Sequence, residues 1–133
     1  MKLSTCGYAL PVRNVLTNLL ESTLASHKEN ERGGMMTLNY RDPNYSPRTG
    51  GYHPVEIALL KERIVYITEF SYAGCGGFSE LVIELDFEFQ AGVFTQMGRQ
   101  HPIESSIELF EIWQQNFCHY ASNGIYEVEV TRG

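Results

Sequence analysis

Three carboxylates recur at alternate positions near the middle of the chain and are the first candidates for chemistry. Glu84, Asp86 and Glu88 are interleaved with apolar residues, namely Leu81, Ile83, Leu85, Phe87 and Phe89. Because side chains along a β-strand point alternately to its two faces, the stretch predicts a strand with a core face and a carboxylate row. Carboxylates two residues apart on one face lie ~7 Å from each other, so one cation would need ligands from elsewhere as well. The row is therefore interpreted as a solvated outer face, a docking surface for a basic protein partner, or a cation or acid–base site.

Histidines and cysteines offer no recognisable site along the sequence. None of the four histidines pairs with another at the spacing of metal ligands, and the three cysteines are far apart. We therefore expect no metal, no cofactor and reduced cysteines, although the fold could still assemble a histidine cluster. The turn Gly74-Cys75-Gly76-Gly77 lacks the lysine of a phosphate-binding loop and precedes a strand, so we interpret it as a hairpin turn.

A second kind of candidate site is a pocket behind an aromatic helix. The segment from Glu104 to Ser122 carries most of an apolar stripe at helical spacing, formed by Ile103, Ile107, Phe110, Trp113, Phe117 and Tyr120. Such a stripe ordinarily packs into the core, but a helix lying across a curved sheet also creates ligand pockets. In that arrangement the polar groups available for binding or acid–base work are Tyr66, His101 and Tyr120.

The elements that position these residues are two helices and a set of short strands. Helices are predicted at 11–27, with Pro11 in the first turn, and from Glu104 to about Ser122, where Ser105 and Glu108 have the spacing of a capping box. Strands are predicted at 55–60, 64–72, 81–90, 93–96 and 125–131. The interval 28–54 is predicted to be a long loop that could hold a short strand at 35–40. Short connections favour antiparallel pairing, so we predict a single α+β domain at 1–133, with two helices on one face of a twisted antiparallel sheet.

Composition and charge limit the classes of function. The 133 residues carry a net charge of −6, and a hydrophobic content of 43% indicates a packed globular domain. Residues 55–133 contain twelve acidic and four basic side chains, which disfavours nucleic-acid binding and favours a basic protein partner. The sequence contains neither a long apolar stretch nor a secretory signal, so we expect no membrane association and a cytoplasmic location.

Several segments together resemble a known family. They are Tyr52–Ile57, Ile64–Tyr72, Glu80–Phe89 and Glu108–Phe117. On these segments the chain resembles a family of small uncharacterised bacterial proteins of marine gammaproteobacteria, a domain of unknown function often encoded on genomic islands. That family is similar in fold to the acidic mitochondrial matrix glycoprotein that binds the globular heads of complement and assembles as a doughnut-shaped trimer. The resemblance implies an acidic, oligomeric binding protein, with a trimer as one form, and it assigns no catalytic residues. The strand predicted at 125–131 departs from that fold.

Two functions from different classes follow from these observations. The first is a non-enzymatic, homo-oligomeric protein-binding module that engages a basic partner through Glu84, Asp86 and Glu88. The alternative is a small ligand-binding domain or enzyme whose pocket lies between the sheet and the C-terminal helix, with the three polar groups named above as candidates. The sequence has no nucleophile elbow or catalytic serine motif, and the acidic balance of residues 55–133 favours the first function.

Overall fold

Seven strands form one sheet in which neighbouring strands are antiparallel. In chain order they are β1 (Met36–Arg41), β2 (Val55–Leu60), β3 (Arg63–Cys75), β4 (Phe78–Glu88), β5 (Val93–Gln96), β6 (Arg99–Pro102) and β7 (Glu127–Arg132). Their order across the sheet is β6-β5-β4-β3-β2-β1-β7, so the first six form a meander and only β7 departs from chain order. The structure is a computed structural model that describes residues 2–27, 34–75 and 78–132.

Two helices pack beside each other on one face of this sheet. They are α1 (Asn14–Ser26) and α2 (Ile107–Ser122), and a 3-10 turn at Ile103–Ser106 leads into α2. The buried side-chain amide of Gln114 joins α2 to the segment just before α1, because its Oε1 accepts from the Arg13 N–H at 2.9 Å and its Nε2 donates to the Pro11 carbonyl at 3.0 Å. These elements confirm the predicted α+β class with one antiparallel sheet and two helices.

The core lies between the two helices and one face of the sheet. Its fully buried side chains come from both helices and four strands, and they include Leu16, Leu20, Leu38, Ile57, Ile67, Phe87 and Phe110. The ring centroids of Phe87 and Phe110 are 5.2 Å apart, and those of Tyr40 and Phe117 are 5.0 Å apart. Burying one such side chain contributes roughly 1.5–3 kcal/mol, so this interface is the main source of stability. We call the opposite side of the sheet, which carries neither α1 nor α2, the helix-free face.

A β-bulge interrupts the regular pairing of β3 with β4. Glu69 pairs with Leu85, but the next residue of β3, Phe70, pairs with Ile83. Glu84 and Leu85 of β4 therefore both lie opposite Glu69 of β3, and Glu84 is the extra residue. A bulge of this kind bends the strand and redirects the side chain of the inserted residue.

The bulge corrects the predicted faces of β4. Because one extra residue reverses the alternation beyond it, Leu81 and Ile83 do not share a face with Leu85 and Phe87. Leu85 and Phe87 are buried in the core, whereas Leu81 and Ile83 are 41% and 48% exposed. The prediction of one continuous apolar face from Leu81 to Phe89 was therefore wrong. Regular alternation in the sequence contains no sign that the side chains of β4 change face at the bulge.

The predicted beginnings of both helices are also corrected. Helix α1 begins at Asn14, so Pro11 lies ahead of the helix and not in its first turn. The predicted capping box does not form, because the residue that precedes α2 is Ser106 and its side chain makes no capping hydrogen bond. The Ser105 hydroxyl instead donates to the Pro102 carbonyl at 2.7 Å, within the 3-10 turn.

Most predicted strands are present, and one strand was missed. The strands expected at 55–60, 64–72, 81–90, 93–96 and 125–131 correspond to β2, β3, β4, β5 and β7. The interval 28–54 contains β1, which is the short strand that the sequence permitted, while residues 28–33 lie outside the described residues. Strand β6 was not predicted, because all four of its residues are exposed and it shows no apolar alternation. Of the predicted glycine turn, Gly76 and Gly77 lie outside the described residues. Within the described ranges, no helix has the length and apolar character needed to cross a membrane.

Candidate functional site

The extra residue of the bulge meets two other titratable groups on the helix side of the sheet. Nδ1 of His53 lies 3.1 Å from Oε2 of Glu69 and 3.1 Å from Oε2 of Glu84. His53 precedes β2, Glu69 belongs to β3 and Glu84 to β4, so three separate segments contribute one group each. Their side chains are 33%, 18% and 31% exposed, respectively. We call this set the His–Glu–Glu cluster, and its exposure leaves it sheltered yet reachable from solvent.

Neighbouring groups hold the cluster in place. The indole N–H of Trp113 donates to Oε1 of Glu69 at 2.9 Å, which leaves Oε2 of the same carboxylate facing His53. The ring of Tyr45 lies 5.3 Å from the ring of His53. The carbonyl of Pro54 accepts a backbone hydrogen bond from β3, which anchors the segment that carries His53. The side-chain orientations are therefore set by packing and hydrogen bonds and not by the cluster alone.

The cluster sets two carboxyl groups against a single imidazole nitrogen. Burial raises the pKa of Glu69, and the adjacent Glu84 carboxyl raises it further, while His53 and Trp113 act in the opposite direction. A single imidazole nitrogen carries at most one proton, yet two carboxylate oxygens face it at the same distance. The arrangement is therefore suited to accept a cation or an additional proton.

A cleft adjoins the cluster beneath α2. It has a volume of about 410 Å³, and its walls include Tyr52, His53, Glu69, Trp113, Tyr120 and Tyr126. The rings of Tyr52 and Tyr120 lie 4.6 Å apart and form one wall. A larger cavity of about 490 Å³ lies against α1 and α2, but there Arg13 and Glu111 already pair with each other. The cleft that is lined by His53 and Glu69 of the cluster is therefore the candidate site.

The predicted carboxylate row is divided between the two faces of the sheet. Glu84 lies on the helix side, whereas Asp86 and Glu88 remain on the helix-free face. The Thr68 hydroxyl donates to Asp86 Oδ1 at 2.8 Å across the β3–β4 pair. The bulge is the physical reason for the division, because it separates Glu84 from the residues with which it alternates in sequence.

Only one of the three pocket candidates lies at the cleft. Tyr120 lines it. The hydroxyl of Tyr66 donates to the carboxylate of Glu56 on the helix-free face. His101 is exposed on β6, with its ring 6.1 Å from that of Phe94. The predicted location of the pocket, between the sheet and the C-terminal helix, matches the cleft, but Tyr66 and His101 do not contribute to it.

Sequence reasoning did not identify His53 and Glu69 as site residues. A signal for Glu69 was present, since it follows Ile67 by two positions and regular alternation places both on the core side. A carboxylate at a core-facing position needs a partner, and this would have singled it out. No comparable signal marked His53, because its segment has no regular structure.

The elements and the cluster together define the class of protein. It is an α+β protein with an open antiparallel sheet, in which the last strand, β7, pairs with the first strand, β1. A His–Glu–Glu cluster lies between this sheet and the C-terminal helix. The chain belongs to the family described as "Protein of unknown function (DUF2787)", whose model matches residues 14–131. A comparison with curated proteins finds no match.

Two solved structures are similar to the chain over nearly its full length. A hypothetical protein from the VSP-II pathogenicity island of Vibrio cholerae is 33% identical over 96% of this chain and 99% of its own, with a TM-score of 0.83. A conserved hypothetical protein from pathogenicity island VPI-2 of Vibrio cholerae is also 33% identical, over 94% and 98%, with a TM-score of 0.80. That second protein shares structural homology with the human P32 protein. These comparisons confirm the family resemblance predicted from the sequence.

Proposed function

We propose that the protein is a binding module that captures a basic, amphipathic segment of another protein on its helix-free face. The observation that carries the proposal is the composition of this face along β4. Because of the bulge, the exposed side chains of Leu81 and Ile83 lie on the same face as Asp86 and Glu88. Apolar groups and carboxylates thus form one continuous surface, and exposed apolar groups beside charges are typical of protein-binding surfaces.

The charges of this face favour a cationic partner. Glu56 on β2 lies near Asp86 and Glu88, and the Tyr66 hydroxyl donates a hydrogen bond to the Glu56 carboxylate. Burial raises the pKa of Asp86, and the Glu56 carboxylate raises it further. Burial also raises the pKa of Glu88, and the Asp86 charge adds to the effect. A lysine or arginine placed here would relieve this repulsion, so charge complementarity selects a basic segment.

The apolar half of the face decides between two kinds of occupant. A second copy of this acidic chain would cover Leu81 and Ile83, but it would also bring like charges together at Asp86 and Glu88. A segment that alternates basic and apolar residues satisfies both halves at once. We therefore propose a different protein as the partner, and an oligomer would form through other surfaces.

Binding of a defined peptide tests this proposal. The probe is a labelled peptide of alternating lysine and leucine, compared by fluorescence anisotropy with a lysine–serine peptide of equal charge. We expect only the lysine–leucine peptide to bind well, and more weakly at high salt because the carboxylates are solvent-exposed in part. Ile83→Ser, and separately Asp86→Asn combined with Glu88→Gln, are each expected to weaken binding about tenfold.

A matched control lies on the far edge of the same face. Glu127 and Glu129 on β7 are exposed, so Glu127→Gln with Glu129→Gln removes two charges without touching the β4 surface. This control variant should bind the peptide as the wild type does. Equal losses in both double variants would mean that net charge alone attracts the peptide, and the proposed surface would be wrong. Light scattering that shows a dimer dissociated by Ile83→Ser would assign the face to self-association instead and would also overturn the proposal.

A second candidate function is a small-ligand-binding domain, and the cleft favours it. Its aromatic wall and the Glu69 carboxyl group are a combination that recognises cations and polar aromatic ligands. Fragment soaking into crystals tests this function directly. Fragments bound between Trp113 and Tyr120 are the expected result, and a screen in which the cleft stays empty while other surfaces are occupied would argue against it.

A further inference from the structure

We propose that the His–Glu–Glu cluster binds one divalent transition-metal ion, and that this ion presents open coordination positions to the cleft beneath α2. One ligand atom each from His53, Glu69 and Glu84 lies within 4.8 Å of the other two. The proposal concerns the helix side of the sheet. It therefore stands independently of peptide binding on the helix-free face, and each can fail without the other.

Two of the three distances between the candidate ligand atoms match a coordination shell, and the third is within 4.8 Å. For metal–ligand bonds of ~2.1 Å, neighbouring ligand atoms are ~3.0 Å apart in an octahedron and ~3.4 Å apart in a tetrahedron. In the structure, Nδ1 of His53 is 3.1 Å from Oε2 of Glu69 and 3.1 Å from Oε2 of Glu84. An ion bound to these three atoms would therefore require only small side-chain movements.

The surroundings orient the ligands as second-shell groups do in established metal sites. Metal-binding carboxylates commonly accept a hydrogen bond on the oxygen that does not bind the ion. The Trp113 indole supplies this bond to Oε1 of Glu69 at 2.9 Å, so Oε2 remains available. The bulge supplies the third ligand, because a regular strand would have placed Glu84 on the helix-free face. The site is thus built into the fold, and the unfolded chain has no equivalent of it.

The ligand set selects the type of metal. One imidazole nitrogen and two carboxylate oxygens suit Zn²⁺, Mn²⁺ or Fe²⁺, whereas Ca²⁺ and Mg²⁺ prefer oxygen ligands alone. The two carboxylates balance the charge of a divalent ion. Three protein ligands leave at least one position open, as in catalytic zinc sites. His53 and Glu69 line the cleft, so a molecule in the cleft would reach that position.

Calorimetric titration of the metal-free protein with zinc chloride and manganese chloride tests the proposal. We expect one ion per chain and at least a hundredfold loss of Zn²⁺ affinity in Glu84→Gln. Trp113→Phe should lower the affinity about tenfold, because it removes the second-shell hydrogen bond and keeps an aromatic ring at this core position. The matched control is Glu88→Gln, which removes the same charge from the same strand on the opposite face and should leave the affinity unchanged. Equal affinities in Glu84→Gln and Glu88→Gln would overturn the proposal.

A second measurement uses the unmodified protein and does not depend on how the variants fold. Mn²⁺ is paramagnetic and broadens NMR signals of nearby nuclei, so substoichiometric Mn²⁺ should broaden backbone amide signals around residues 53, 69 and 84 first. Broadening centred on the exposed carboxylates of β7 would assign the metal to surface groups. Binding of more than one Zn²⁺ ion per chain with an affinity that Glu84→Gln does not change would lead to the same conclusion. Either result would refute a site at the cluster.

Discussion

Deletion of Glu84 is predicted to leave the fold intact, although it removes a residue from the middle of a strand. A deletion inside a regular strand transfers every residue on one side of it to the opposite face. Glu84 is the extra residue of the bulge, so its removal would restore regular pairing with β3. Ile83 would then stay on the helix-free face and Leu85 in the core. The main loss is one partly exposed contact with His53, which contributes about 0–1 kcal/mol.

Deletion of Asp86, two positions further on, is the matched comparison and is predicted to be far more harmful. It would move Leu85 out of a site where it is only 8% exposed and bring Glu84 into that place. Losing the burial of the leucine costs roughly 1.5–3 kcal/mol, and burying an unpaired polar group costs roughly 1–3 kcal/mol more. We therefore expect deletion of Asp86 to cost about 2.5–6 kcal/mol, which is a large part of the stability of an ordinary domain.

Urea denaturation followed by circular dichroism measures both free energies of unfolding. The measurements are made in the presence of a chelator, so that loss of a metal ligand does not enter the comparison. A deletion of Glu84 that destabilises the protein as much as the deletion of Asp86 would show that Glu84 is not an inserted residue. The assignment of Ile83 and Leu81 to the helix-free face would then be wrong as well.

Three further predictions concern buried side chains. Tyr40→Phe removes the hydrogen bond between the Tyr40 hydroxyl and Thr23 Oγ1, which are 2.8 Å apart, and should lower the free energy of unfolding by about 1 kcal/mol in urea titrations. An unchanged value would contradict this prediction and would mean that the Leu19 carbonyl, which accepts from Thr23 Oγ1 at 3.1 Å, is a sufficient partner for the threonine. Burial raises the pKa of the Cys118 thiol to about 11, whereas Cys6 is exposed, so iodoacetamide at pH 8 should modify Cys6 and spare Cys118 in peptide maps. The unfolded chain releases the Cys118 proton at a lower pH than the folded protein does, so the free energy of unfolding should fall between pH 9 and 11. Cys118→Ala should reduce that fall, and an identical pH profile in the variant would contradict this prediction.

Local patterns predicted most of the fold because the responsible forces act over a few residues. The left-handed turn at Lys61 and Glu62, with φ of 50° and 66°, joins two strands that the sequence marks clearly. Gly124, with φ of 73°, ends α2 where its sequence position indicates. Strand β6 could not be predicted from local patterns, because a short, exposed edge strand needs no apolar alternation. Its partner β5 supplies the pairing.

The bulge and the site could not be predicted for a different reason. Whether Glu84 is paired or inserted depends on the register between β3 and β4, and register is a property of two strands together. A single strand with perfect alternation contains no information about it. The His–Glu–Glu cluster depends on that register and on the path of the segment before β2. The residue types could therefore be read from the sequence, but their proximity in the folded protein could not be predicted from it.

Strand β1 pairs with one neighbour that is close to it in the chain and with another that is distant. β2 follows it after the segment 42–54, whereas β7 begins only at Glu127. Contacts over so long a separation close a large loop and form slowly. Until they form, one edge of β1 exposes unpaired backbone groups that another chain can extend into an intermolecular sheet. Substitutions in β7 that delay its docking should therefore increase aggregation during synthesis even where the finished protein is nearly as stable as before.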